Sequence, residues 1–227
     1  KDRKDVRQSP PLVAELIAPL HKLLIAKNEQ VSMYAAQCLA ALSDSIVHNP
    51  EVVKAASEIL PLLFKLCTST NVQVLEQAIS ALANLLQNEK ISKREPTADI
   101  IQPLTHVLKE GTPEGRRQAA RALSRILQWN SIDDIIFEKI QHSGAVPAVV
   151  SLLGTMKLED IDLAEVLETL VFLARHNKAG TNSNRPIWSV LGEAPQTITP
   201  IIDCLAKGPP LVKDSAIHIL SILHRDL

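Results

Sequence analysis

A chain of 227 residues that is 46% hydrophobic but only 3% aromatic, with 7 glycines, is composed for packed helices and against a sandwich or barrel, which draws on aromatic and β-branched residues. Its 24 basic and 25 acidic residues leave a formal charge of −1, so no whole-molecule field draws it onto nucleic acid or an anionic membrane. No apolar run reaches the roughly 18 residues that span a bilayer, and the opening KDRKDVRQSP is too polar for a secretory leader.

In chain order, five units of similar design follow one another, with approximate bounds 12–49, 50–92, 93–130, 131–177 and 178–227. Each has a proline near the start of an apolar helical pattern: Pro19 in IAPLHKLL, Pro61 in ILPLLFKL, Pro103 in IQPLTHVL, Pro147 in AVPAVVSLL and Pro200 in ITPIIDCL. The spacings are 42, 42, 44 and 53 residues. A first-turn site is expected for each, because proline's missing N–H has no intrahelical partner there.

Each proline is followed, 16 to 19 residues on, by the first residue of a second stripe. The stripes are Ala35-Cys38-Leu39-Leu42, Ala78-Ala81-Leu82-Leu85, Ala119-Ala122-Leu123-Ile126, Val166-Thr169-Leu170-Leu173 and Ala216-Ile219-Leu220-Leu223. Positions i, i+3, i+4 and i+7 share one helix face, and small residues on it let neighbouring helices approach closely. Two markers in one phase predict a first helix, a polar turn and a longer second helix in every unit. The fourth and fifth units add a short helix in front, DDIIFEKIQ before Ser143-Gly144 and Pro186–Leu191 before Gly192. Gly144 is expected to break the chain at positive φ.

The phrase HSGAVPAVVSLL, with its short helix, glycine, proline-led helix and long helix, resembles the armadillo repeat. HEAT repeats have two helices and lack this glycine. The expected fold is therefore an all-α armadillo-repeat right-handed superhelical solenoid of about five repeats.

The stretch GTPEGRRQAARALSRIL, residues 111–127, has the glycines and basic residues of a phosphate-gripping loop. Such a loop also needs a preceding strand and a following Lys-Ser/Thr, and neither is present. The other units place Lys27-Asn28-Glu29, Ser69-Thr70-Asn71 and Lys207–Pro210 in the same slot, so a turn between helices is the reading adopted.

No catalytic, cofactor-binding or metal-ligating constellation emerges, and the chain reads as a non-enzyme. The seven histidines (21, 48, 106, 142, 176, 218 and 224) form no His-x-x-x-His pair, and none has a cysteine at a metal-like spacing. The acidic run Glu159, Asp160, Asp162, Glu165 and Glu168 complements the start of a long helix. Cys38, Cys67 and Cys204 are odd in number, far apart and set in apolar patterns, which points to buried free thiols in a reducing, cytoplasmic compartment. The polar loop 176–186 accounts for the 53-residue spacing and reads as an insertion. The start without methionine and the stop at Leu227 suggest a segment of a longer protein.

In a solenoid, function belongs to the continuous surface of the second helices. Phased on Asn84, the residues expected to face that groove are Tyr34, Gln37 and Ala41, then Gln77, Ser80 and Asn84, then Gln118, Arg121 and Arg125, then Glu165, Glu168 and Phe172, then Ser215, His218 and Ile222. Armadillo readers of extended peptides repeat an asparagine at the Asn84 position, and here the other four units carry Ala41, Arg125, Phe172 and Ile222. An importin-like reader of basic signals is disfavoured. Arg117, Arg121 and Arg125 stand at i, i+4 and i+8 beside Arg116 and are either a solvated face paired partly with Glu114 or the neighbouring acidic helix, or a docking patch for an acidic protein segment such as a tubulin tail and, less well, for phosphorylated lipid headgroups. Nucleic acid fits less well, for want of interleaved aromatics. The candidate partner-binding residues are Arg117, Arg121, Arg125, Asn84, Gln77 and Gln118.

DIIQPLTHVLKEGTPEGRRQAARALSRIL and PIWSVLGEAPQTITPIIDCLAKGPPLVKDSAIHILSILHRD, together about a third of the chain, resemble the plant cellulose synthase interactive family. The second carries Trp188, Pro195, Asp214 and Asp226 in an arrangement that generic armadillo repeats lack. The resemblance implies a very large cytosolic scaffold that binds cellulose synthase complexes and cortical microtubules beneath the plasma membrane, with no cofactor. Membrane contact would be indirect or made by a C2 domain outside these residues. The alternatives are the substrate-binding armadillo region of a plant U-box ubiquitin ligase and a generic armadillo adaptor.

Overall fold

A computed structural model describes residues 10–46, 59–92, 98–129, 134–157, 162–175 and 195–225. Among the described residues every element is helical. The helices are α1 (Pro10–Leu24), α2 (Glu29–Ile46), α3 (residues 59–66), α4 (Val72–Leu85), α5 (Glu89–Ser92), α6 (Ile101–Glu110, entered through a 3₁₀ turn at Ala98–Ile100), α7 (Pro113–Trp129), α8 (Asp134–Ser143), α9 (Ala145–Leu153), α10 (Leu163–Arg175), α11 (Pro195–Lys207) and α12 (Pro210–Arg225).

The longer helices α2, α4, α7, α10 and α12 pack in series, each on the next. A second row, α6, α9 and α11, packs in the same order, and each member also meets the long helix of its own unit. Extensive contacts thus join elements within a unit or in successive units. The core is the seam between the rows. Ala78, Ala81, Leu82 and Leu85 of α4, Ala119, Ala122 and Leu123 of α7, and Val166, Thr169, Leu170 and Leu173 of α10 are all fully buried. Each buried leucine contributes about 1.5–3 kcal/mol over an exposed one, and the alanines set how closely the helices approach.

Cap residues start the long helices. Asn71 accepts from the N–H groups of Gln73 and Val74 at 3.1 and 3.4 Å, Asn28 from Gln30 at 3.0 Å, and Thr112 Oγ1 from Gly115 at 3.1 Å. Each satisfies a first-turn donor that has no intrahelical acceptor. Gly144, between α8 and α9, has φ +81°, the left-handed conformation expected of it. Lys109 of α6 donates to the Ser143 carbonyl at 3.0 Å, and Thr105 to the Ser143 hydroxyl at 3.1 Å, fixing the corner from outside.

Three expectations are corrected. Pro19 and Pro200 lie inside α1 and α11 and not in their first turns; α1 opens nine residues earlier on Pro10 and Pro11, which take the first-turn role instead. Cys38 is exposed, whereas Cys67 and Cys204 are buried. Cys38 stands at the stripe position that Thr169 holds in α10, where the buried Thr169 hydroxyl meets the Ala120 carbonyl of the preceding long helix at 3.4 Å; among the described residues no long helix precedes α2. The end of the second unit also carries the short helix α5, which its polar sequence does not announce. The short helix expected at 186–191 and the loop 176–186 lie outside the described residues, as do Glu159 and Asp160.

Candidate protein-binding surface

The turn at Gly111–Gly115 does hold an anion, supplied by the protein itself. Glu76 of α4 reaches across the unit boundary and accepts from the Thr112 N–H at 2.7 Å and the Thr112 hydroxyl at 3.0 Å. Its carboxylate therefore sits at the positive N-terminus of α7, where a phosphate would go. The glycines make the room. A Cβ on Gly115 would stand 2.5 Å from Glu76 Oε1, and one on Gly111 would stand 2.6 Å from the Val107 carbonyl. Arg116 belongs to the same turn, donating to the Gly111 and Lys109 carbonyls at 2.9 Å each and so closing the C-terminal end of α6.

The arginine stripe points along the ladder at the next long helix. Arg117 bonds Glu114 and lies 3.8 Å from Asp162; Arg121 Nε donates to Glu165 at 3.0 Å and lies 3.6 Å from Asp162; Arg125 Nη2 donates to the other oxygen of Glu165. Gln118 links the set, donating to Glu114 at 2.7 Å and accepting from Arg121 at 3.3 Å. Three guanidinium groups thus meet three carboxylates, and these six charges balance. Its side chains keep 19–29% exposure, except Glu114 at 60%.

The cluster shifts its own carboxyls in opposite directions. The hydrogen bond from Gln118 holds Glu114 below the usual carboxylate range, with the bond and charge of Arg117 adding to it against the cost of burial. Burial pushes Asp162 up, aided by Glu165 and Glu114, and outweighs the pull of Arg121 and Arg117.

Asn84 turns back into the ladder, its Nδ2 donating to the Ala40 carbonyl of α2 at 3.0 Å. Gln77 and Ser80 stand half-buried beside it. Tyr34, Gln37, Ala41 and His218 are exposed, and Glu168, Phe172 and Ile222 half-buried, on the same row of long helices. Ser215 does not join them: it is buried, and its hydroxyl bonds the Leu211 carbonyl at 3.2 Å. Sequence reasoning missed Glu76, because its partner lies 36 residues away.

Residues 7–156 match the model of the family described as Cnd1, non-SMC mitotic condensation complex subunit 1. The chain belongs to this family. Its fold is that of armadillo-repeat proteins: it superimposes on a designed armadillo repeat protein with TM-score 0.71 at 22% identity over 96% of this chain and 88% of that one. On the armadillo-repeats-only protein of Plasmodium falciparum the TM-score is 0.68 at 14% identity over 98% of each chain. A second designed armadillo protein, solved with the peptide (KR)4, gives 0.68 at 22% identity over 96% of this chain and 87% of that one. Among curated proteins of Arabidopsis thaliana, the armadillo chain is 33% identical over 214 residues to Protein CELLULOSE SYNTHASE INTERACTIVE 3 and 32% identical over 206 residues to Protein CELLULOSE SYNTHASE INTERACTIVE 2, covering 93% and 89% of itself. It spans about a tenth of the length of either relative.

Proposed function

We propose that this chain is a stretch of a non-catalytic scaffold that links cellulose synthase complexes to cortical microtubules at the cytosolic face of the plasma membrane, through protein contacts on its solenoid surface. The observation that carries the reading is the likeness to two proteins named for interaction with cellulose synthase, continuous over some nine-tenths of the chain. The condensation-complex family match stops at residue 156, short of α10 and the units beyond it. A repeat ladder with a long accessible row of helices is suited to binding chains and not to chemistry. The candidate contacts are Arg117, Arg121, Arg125, Asn84, Gln77 and Gln118.

Pull-down of the 227-residue chain with the cytosolic regions of a cellulose synthase, and co-sedimentation with polymerised tubulin, test the reading. Retention by both partners is expected, the tubulin interaction being weak and salt-sensitive. A folded chain retained by neither would overturn it.

A further inference from the structure

We infer that Arg121 and Arg125 form a subsite for an acidic peptide segment on the long-helix row, and that Glu165 is its built-in competitor. The inference rests on the reading of this surface as a protein-binding one. Both arginines keep about a fifth of their side-chain surface exposed and share a single carboxylate, one oxygen each. That carboxylate comes from the next unit, 44 and 40 residues away in sequence. It holds the place an acidic ligand side chain would take, bridging two guanidinium groups.

The surroundings favour an acidic occupant over a basic one. The preceding unit offers the uncharged Gln77, Ser80 and Asn84 beside the two guanidinium groups, and the cluster's most exposed carboxylate, Glu114, lies at the opening turn of α7, seven and eleven residues before Arg121 and Arg125. Arg121 bonds Glu165 and Gln118 through two of the five N–H groups a guanidinium carries. A tethered carboxylate acts at millimolar or higher effective concentration, so a segment with one acidic residue loses the competition and a segment with several prevails. The contact thus sets a threshold on the acidity of what the surface accepts. Removing the Glu165 charge shifts the balance among these three arginines and three carboxylates by one unit toward positive.

The probe is a fluorescent octaglutamate peptide, titrated with the wild-type chain, Glu165→Gln, and the triple variant Glu165→Gln/Arg121→Gln/Arg125→Gln, all followed by anisotropy at low salt. The isosteric glutamine keeps the packing, and thermal melts of each protein report the fold. Glu165→Gln is expected to bind about ten-fold or more tightly than wild type, and the triple variant to lose that gain. Glu165→Asp, a methylene shorter, should fall between and serves if the glutamine variant unfolds. Equal binding by wild type and the folded Glu165 variants would overturn the inference, as would a gain that survives loss of both arginines. Neither result bears on retention by cellulose synthase in the pull-down, which tests the scaffold reading separately.

Discussion

At the scale of single residues, the Gly111–Gly115 turn shows how a composition signal can be right about chemistry and wrong about the ligand. The two glycines and the helix start do make an anion site, and Glu76 fills it. Because a Cβ on Gly115 would meet the Glu76 carboxylate, Gly115→Ala should displace that group and cost about 1–2 kcal/mol, as should Glu76→Ala. In the Glu76→Ala background the same Gly115→Ala change should become stabilising by about 0.5–1 kcal/mol, since alanine is the better helix residue. Chemical denaturation of the four proteins of the cycle checks the reversal of sign, and additive costs would refute it. Asp162 gives a second test. Its carboxyl titrates above the ordinary range when folded, so its contribution is favourable at low pH and is lost as pH rises through the folded value. Asp162→Asn should therefore melt at or above the wild-type temperature at pH 7, despite two arginines nearby; a clear fall would show that the ion pairs outweigh burial. Among the thiols, burial pushes Cys67 up to about 12 and also raises Cys204, whereas Cys38 is exposed. Alkylation of the native chain at pH 8 should modify Cys38 first and Cys67 last, as read by peptide mass mapping.

Helices were legible from sequence to the extent that their buried faces repeat. The stripes of α4, α7 and α10 are readable because an apolar i, i+3, i+4, i+7 pattern survives any change of surface residues, and the described members of those stripes are buried. The prolines were less informative. A proline marks a helix start only if nothing upstream can extend the helix, and Pro10-Pro11 and Pro195 provide earlier starts for α1 and α11. Pro19 removes the N–H that would bond the Glu15 carbonyl inside α1, a defect of about 3 kcal/mol in a helix interior, partly offset by its restriction of the unfolded chain. Pro19→Ala should thus stabilise the chain by about 1 kcal/mol or more in urea denaturation, and a loss of stability would mean that the ring is needed where it lies. The contacts between long helices were hardly legible at all. That the arginines of α7 lie along the acidic start of α10 was one of two readings the residues allowed, and only the packing of one unit on the next decides that they are paired. Asn84 had a familiar place in the repeat, yet it spends its amide on Ala40, a partner no spacing rule could name.

For the whole molecule, stability is a sum over units and the boundaries between them. The inner long helices α4, α7 and α10 have a long-helix neighbour on both sides, whereas among the described residues α2 and α12 have one. Amide hydrogen exchange should accordingly be slowest in α4, α7 and α10 and faster toward α2 and α12, and uniform protection along the chain would contradict the picture. The same arrangement decides how the proposed scaffold is best probed. Replacing Arg117, Arg121 and Arg125 by glutamate would set six carboxylates side by side and risk unfolding α7 and α10, so glutamine replacements are the informative ones. They should abolish salt-sensitive co-sedimentation with microtubules while leaving the melt largely unchanged, and undiminished sedimentation would remove the stripe from the binding surface.

The tie between α7 and α10 also has a mechanical side. A ladder whose extensive contacts join successive units carries tension in series, every joint bearing the load. Apolar seams resist until they part, because dispersion contacts vanish within an ångström or so of separation. Charges attract over a longer distance and need no single geometry. Arg117, Arg121 and Arg125, a helical turn apart, face two carboxylates of the next unit. At that joint the charges add to an apolar seam, and their attraction outlasts displacements that would already have parted it.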